Sequence, residues 1–455
     1  MVRVTRPWAA PAYLLLCLLL GGSGQGIWAN MVLQLLGLVL IAWATIARPD
    51  GDVPIEQKQL FWLILLGFAV IAMQLVPLPH AVWEHLPGRA AVAEGYRILG
   101  VRPPWLPLSL APYDTLSSLL ALVPGLAMVC AIVNLGCQAK PLVLALVGGA
   151  LAGILLGALQ VSNADPESSR WYLFAVSNFG AATGFFANAN HMADLLVITL
   201  PFLAALLARR EGDGTQRRSA IMVAVAATGL VVLVGLALNG SLAGYGLAIP
   251  ALVASATIAS RRVRRSSRRV IPAALLLSVA ALGWLATTPA SSGATLRSSA
   301  AVSAQSRAQI LKTTLEAAGN FMPFGSGVGS FERAYALHES RTRLDPTTYV
   351  NHAHNDYAEI VLEAGVPGIF ALALFFVWWG RTAWTEWRAR DPDPYTSAAV
   401  VASAVMLLHS IVDFPLRTAA LSACFAMCLA LMVRSRPAPK PDRSQLWPTR
   451  HVVIE

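Results

Sequence analysis

The residues with the most chemistry in this chain stand close together. The stretch "VNHAHNDYAEIVLEAGVPG", Val350 to Gly368, sets His352, His354, Asn355, Asp356, Glu359 and Glu363 at the mouth of a long apolar run. An imidazole titrates near neutrality and can accept a proton there, and a neighbouring amide or carboxylate can fix its tautomer. His354, followed at once by Asn355 and Asp356, suits a general base with Asn355 as its orienting neighbour. Two other readings stand beside this one. His352, His354 and Asp356 form an H-x-H-x-D pattern of zinc-ligand types, but a third strong ligand is not evident, so no metal and no cofactor are expected. Asn355 or Asp356 could equally be the N-cap of the helix that follows.

The elements that must position these groups are membrane helices. Of 455 residues, 56% are hydrophobic and only 13% charged, and the mean hydropathy is +0.59; soluble domains carry about 25% charged residues. Apolar runs long enough to cross a bilayer recur at 8–22, 27–47, 60–78, 113–134, 141–160, 185–208, 219–238, 243–260, 270–288, 358–380, 397–412 and 418–433. The reading is an all-α polytopic membrane protein of about twelve helices, with one integral domain over 1–433 and a cytoplasmic tail over 434–455 expected to be disordered. The two most basic short loops, "ARREGDGTQRRS" and "SRRVRRSSRRV", fall inside if the N-terminus is inside, and the C-terminus then lies inside too. Topology thus accounts for the net charge of +10, and no nucleic acid is implied. The five cysteines lie in or beside apolar segments and suggest no disulfide framework.

Two long segments fall outside, Pro79 to Ala111 and the loop over 289–357, and both are expected to carry short helices on the membrane surface. In the second, Ile310, Leu311, Thr314, Leu315 and Ala318 recur at helical spacing. Outside the cell there is no ATP, so a reaction there needs an activated donor such as a lipid-linked pyrophosphate sugar. Arg307 and Arg333 are the best cations for a diphosphate, because a guanidinium fork matches phosphate oxygens. Arg333, Arg341 and Arg343 could instead snorkel to lipid headgroups. "FGSGVGSF", Phe324 to Phe331, reads as a turn rather than a phosphate cradle, since it follows no strand. Polar groups also enter the spans: Asn188, Asn190, His191 and Asp194 in "GFFANANHMADLL", and His409 and Asp413, four apart, in "HSIVDFPLR". Such groups face a cavity or one another.

With these motifs in place, the chain resembles the O-antigen ligases and Wzy-type polysaccharide polymerases. "HNDYAEIVLEAGVPG" looks like their signature: His354, Asn355, nine residues from Asp356 to Ala364, then Gly365 and Gly368. The Arg307 helix with its Pro and Gly-rich turn, "GFFANAN" and "HSIVDFPLR" extend the likeness over about 184–432. The resemblance implies a GT-C-like, metal-independent, inverting glycosyltransferase of the bacterial inner membrane, with both termini cytoplasmic and the site periplasmic. Its partners would be membrane lipids, an undecaprenyl-diphosphate-linked glycan donor, and either lipid A core or a growing glycan as acceptor. By resemblance His354 is the base and Arg307 engages the diphosphate, with Arg333, Asn188, Asn190, His191 and Arg417 as further substrate-binding candidates. Gly365 and Gly368 are structural and let the following helix pack closely. Family members often carry Arg where this chain has Ala181 and Leu242. Either other cations hold the diphosphate, such as Arg307 with Arg170 or Arg417, or the donor differs, or catalysis is impaired. A transporter without glycosyl transfer is a further reading, and it would depend on His191 and Asp194.

Overall fold

A computed structural model describes residues 2–49, 51–162, 165, 168–208, 215–261, 292–339 and 350–434. Among the described residues, eight helices are long and apolar enough to cross a membrane: Ile27–Ile46, Ile55–Met73, Pro112–Asn134, Ala139–Val161, Ala189–Ala208, Ser219–Asn239, Leu242–Ser260 and Asp356–Arg388. Arg6–Leu20, Pro394–His409 and Ala419–Met432 are shorter apolar helices. The expected span at 270–288, Arg341 and Arg343, and the tail from 435 onward lie outside the described residues. The span expected at 60–78 is shifted to Ile55–Met73, because Pro77 and Leu78 instead pair antiparallel with Pro107 and Leu106. The span expected at 358–380 runs on to Arg388.

The Ala189–Ala208 helix is the centre of the bundle, with 89% of its apolar window buried. A helix apolar on every side belongs where protein surrounds it. Leu242–Ser260 and Pro394–His409 pack on it through small residues. A Cβ on Gly244 would stand 2.7 Å from that of Ala193, and Ala398, Ala399, Ala402 and Ser403 are fully buried. Small side chains bring backbones close enough for dispersion to hold helices together where lipid supplies no hydrophobic drive.

The loop expected over 289–357 holds a long helix, Ser292–Phe321, and a short one, Phe331–Ala336. Ile310, Thr314, Ala317, Ala318 and Phe321 are buried, and all but Thr314 share a hydrophobic cluster with Leu362 and Phe331. Leu315, expected on the apolar face, is 49% exposed. The difference has a plain cause: the i, i+4, i+7, i+8, i+11 stripe packs on Asp356–Arg388, so the covered face is set by that neighbour.

The Asp356–Arg388 helix breaks at Gly365, where φ is +55°. A side chain there would meet the Pro323 carbonyl at 2.3 Å, so both conformation and space demand glycine. Its close approach is to the turn over 323–325, and Gly368 is crowded by Ala364 and Ile360 of its own segment. At the break the Leu362 and Glu363 carbonyls accept from the Ser326 and Gly327 amides, both at 2.9 Å, and the Val366 amide donates to the Pro323 carbonyl at 2.8 Å. Fully buried Arg89 donates to the carbonyls of Pro87, Leu108 and Gly325 and ties the first outer segment to the same turn.

Candidate active site

His354 stands in a tight turn ahead of the Asp356–Arg388 helix, with φ of +49°. Among the described residues it is the one non-glycine with positive φ. A side chain in the left-handed region costs of order 1–2 kcal/mol and persists where the surroundings over-determine it. Here they do. The Ala353 amide donates to Glu359 Oε2 at 2.9 Å, and the Asp356 amide donates to the Ser410 carbonyl at 2.9 Å. Asn355 is the N-cap: its Oδ1 accepts from the Ala358 amide at 2.9 Å while its Nδ2 donates to the Ile411 carbonyl at 2.9 Å.

The group that orients the His354 ring is Asp413, not Asn355. His354 Nδ1 lies 3.1 Å from Asp413 Oδ1. The carboxylate can only accept, so Nδ1 carries the proton and Nε2 is left as the basic nitrogen. Asp413 is fully buried. Its Oδ2 accepts from Asn190 Nδ2 at 2.5 Å and Asn188 Nδ2 at 3.4 Å and lies 3.9 Å from Arg307; its Oδ1 also accepts from the Phe414 amide at 3.1 Å. Burial alone would raise this carboxyl, but the hydrogen bond from His354 and the neighbouring imidazoles His191, His354 and His409 hold it well below the usual carboxylate range. Asn190 is fixed in turn by Ser241, whose hydroxyl donates to Asn190 Oδ1 at 2.7 Å. Asp413 therefore gathers Asn188, Asn190, Arg307 and His354.

A second buried cluster lies beside the first. Asp356, Glu359 and Glu363 recur at i, i+3 and i+7, which puts them on one helical face. All three surround Arg417: Nε to Asp356 at 3.2 Å, one terminal nitrogen to Glu359 at 3.0 Å, the other to Glu363 at 3.4 Å. His352 Nδ1 lies 2.9 Å from Glu359. Glu363 Oε1 accepts from the Gly329 and Phe331 amides, so the Gly-rich turn cradles a carboxylate of this chain. The structure thus places the Arg417 fork on three carboxylates.

Other expected residues have separate places. Arg333 pairs with Asp114 at 2.9 Å, with both side chains largely exposed. His191 is buried edge-on against Phe414, with ring centroids 5.1 Å apart; Phe414 also meets His352 at 4.2 Å and His354 at 5.1 Å. Arg170 stacks over Trp171. The Ala181 carbonyl accepts from the Tyr172 hydroxyl, and Leu242, 44% exposed, follows Ser241 next to the Asn190 network. His352, His354 and Asp356 turn to Glu359, Asp413 and Arg417 and do not converge as the H-x-H-x-D pattern would require. Among the described residues no three His, Cys, Asp or Glu side chains form a metal-ligand set.

Sequence spacing does not predict the pairing of His354 with Asp413. It puts His409 and Asp413 on one helical face, but the helix ends at His409. Asp413 then turns toward His354, while His409 faces Asp194, Nδ1 to Oδ1 at 3.4 Å. The available signal was "VDFP": a proline two residues after Asp413 disfavours helix across it.

One family comparison covers both the His354 turn and Arg307. Residues 227–373 match the family model described as O-antigen ligase. The match covers about a third of the chain. The matched range holds Arg307, the His352–Glu363 stretch, Gly365 and Gly368, whereas Asn188, Asn190, His191, Asp413 and Arg417 lie outside it. No curated protein matches the chain.

Proposed function

We propose that this chain transfers a glycan from an undecaprenyl-diphosphate-linked donor to an acceptor hydroxyl, that of lipid A core, at the periplasmic face of the bacterial inner membrane. The observation that carries the reading is the contact of His354 Nδ1 with Asp413, which leaves Nε2 to act as base. Nε2 takes the acceptor proton as the acceptor oxygen bonds to the anomeric carbon. The anomeric carbon–oxygen bond breaks on the opposite face, and the electron pair leaves with undecaprenyl diphosphate. Single displacement of this kind inverts the anomeric centre. Asp413 stabilises the imidazolium that forms, as a buried carboxylate does for a catalytic histidine. Arg307, 30% accessible and 3.9 Å from Asp413, stands close enough to the base to offset charge developing on the diphosphate.

The test is complementation of the native host with His354→Ala, analysing surface polysaccharide and lipid-linked glycan together. Loss of polysaccharide with accumulation of the lipid-linked glycan is expected; unchanged polysaccharide contradicts the reading. Accumulation of single repeat units, with short chains still attached to lipid A core, would instead mark a polymerase whose acceptor is a growing lipid-linked chain.

A further inference from the structure

The two halves of the His354–Asp413 pair come from loops far apart in the chain, and one ion pair bridges those loops. On one side, Glu359 accepts from His352 Nδ1 through Oε1 and from the Ala353 amide through Oε2, both at 2.9 Å. It thereby grips the two residues immediately before His354. On the other side, Arg417 closes the short segment that begins at Asp413, as the last residue of the Pro415–Arg417 turn of 3-10 helix. Arg417 lies 3.0 Å from Glu359 Oε1, and Glu359 is fully buried. Asp356 and Glu363 hold the remaining nitrogens of the same guanidinium, so the fork is fixed in plane and in direction. Phe414 fills the space between, against the rings of both His352 and His354.

We propose that the Glu359–Arg417 pair is a positioning clamp that sets the distance and orientation of His354 to Asp413, an inference that rests on the catalytic reading of His354. The clamp also explains how His354 is kept at a positive φ. Neither Glu359 nor Arg417 touches the reacting atoms; each acts through the backbone it holds. A buried carboxylate serving two donors and a cation is costly unless all are present together, so removing one partner releases the turn.

The experiment compares the full-length wild-type protein with Glu359→Ala, Glu359→Gln, Arg417→Lys and His354→Ala. Local amide exchange by mass spectrometry is read over 350–358, and surface polysaccharide is read in the complemented host. In Glu359→Ala, exchange over 350–355 should rise by about tenfold or more while the membrane helices exchange as in wild type, because the opening is local. Polysaccharide should fall in the same variant. Glu359→Gln keeps an acceptor oxygen for the Ala353 amide and should recover part of both, and Arg417→Lys, with one contact in place of three, should be intermediate. Wild-type exchange over 350–355 in Glu359→Ala overturns the clamp. So does increased exchange spread through the membrane helices, which marks a general structural role, and so does normal polysaccharide in Glu359→Ala when His354→Ala has lost it. If His354→Ala keeps its polysaccharide, the catalytic reading fails, and the exchange data alone then decide whether the clamp holds the turn.

Discussion

His354 and Asp413 meet at 3.1 Å although 59 positions separate them in the chain. The contact joins a turn before one membrane helix to a turn after another, and it defines which ring nitrogen carries the proton. Asp413→Asn keeps the shape and removes the obligate acceptor, so the imidazole is free to present the wrong tautomer. Glycan transfer should fall by roughly 100-fold or more, the range in which general base catalysis contributes. Its dependence on pH has a definite sign. Because the Asp413 carboxyl is held below its ordinary value in the folded protein, its stabilisation is complete above the ordinary carboxylate value and is lost as pH falls through the folded one. Thermal unfolding of wild type and Asp413→Asn should therefore differ above about pH 4 and draw together as pH falls below it.

Arg307 and Arg333 are both candidate diphosphate cations by sequence, with Arg333 the better candidate for snorkelling to lipid headgroups, and the structure gives them different partners. Arg307 approaches the Asp413 network, while Arg333 pairs with Asp114 at an exposed site. Arg333→Ala should cost no more than about 0–1 kcal/mol of stability, as exposed pairs do, and should leave most of the transfer activity. Arg307→Ala should lower transfer by at least tenfold, as loss of one charge-stabilising donor does, roughly. Transfer rates of the two purified variants at equal membrane content check this.

Gly365→Ala should destabilise the protein sharply, because it forces a side chain into φ +55°, ψ −143°, a conformation that costs a non-glycine residue about 1–3 kcal/mol, and sets a Cβ 2.3 Å from the Pro323 carbonyl. Gly380→Ala, on the same helix with open space around it, should be neutral or gain about 0.5–1 kcal/mol. The midpoints of thermal unfolding in detergent should order as Gly365→Ala well below wild type, with Gly380→Ala at or above it.

Asp194 and His409 form a buried pair whose side-chain atoms find no hydrogen-bond partner among the described residues, though they lie 3.4 Å apart. Removing one member strands the other in an apolar interior, which costs about 3–5 kcal/mol, whereas replacing both with apolar residues is far milder. Asp194→Leu should thus be strongly destabilised, and Asp194→Leu with His409→Leu should regain much of the loss. A double-mutant cycle on unfolding midpoints measures the coupling; additive losses would contradict it.

The helices were legible because lipid imposes a simple rule: long apolar runs must satisfy their own backbone, so composition and length locate them. Local spacing singles out His354 and Arg307, and the place of Asn355 at a helix start makes it an N-cap candidate, the position the structure gives it. Asp413 was not legible, because its role depends on where a helix stops, and the choice between a continuing turn and an exit at His409 is made by tertiary packing. The same limit explains Arg417. As an isolated arginine it reads as a diphosphate ligand, and only the fold shows three carboxylates of one helical face already around it. Glu363 shows the reverse case, since the Gly-rich turn does cradle an anion, but one supplied by this chain.

The most direct measurement of the central claim is glycan transfer by purified His354→Ala protein in proteoliposomes, with an undecaprenyl-diphosphate-linked glycan and an acceptor extracted from the native host. If His354 is the base, transfer falls by roughly 100-fold or more while amide exchange across the membrane helices stays as in wild type. Transfer at the wild-type rate by a folded His354→Ala protein would contradict the account.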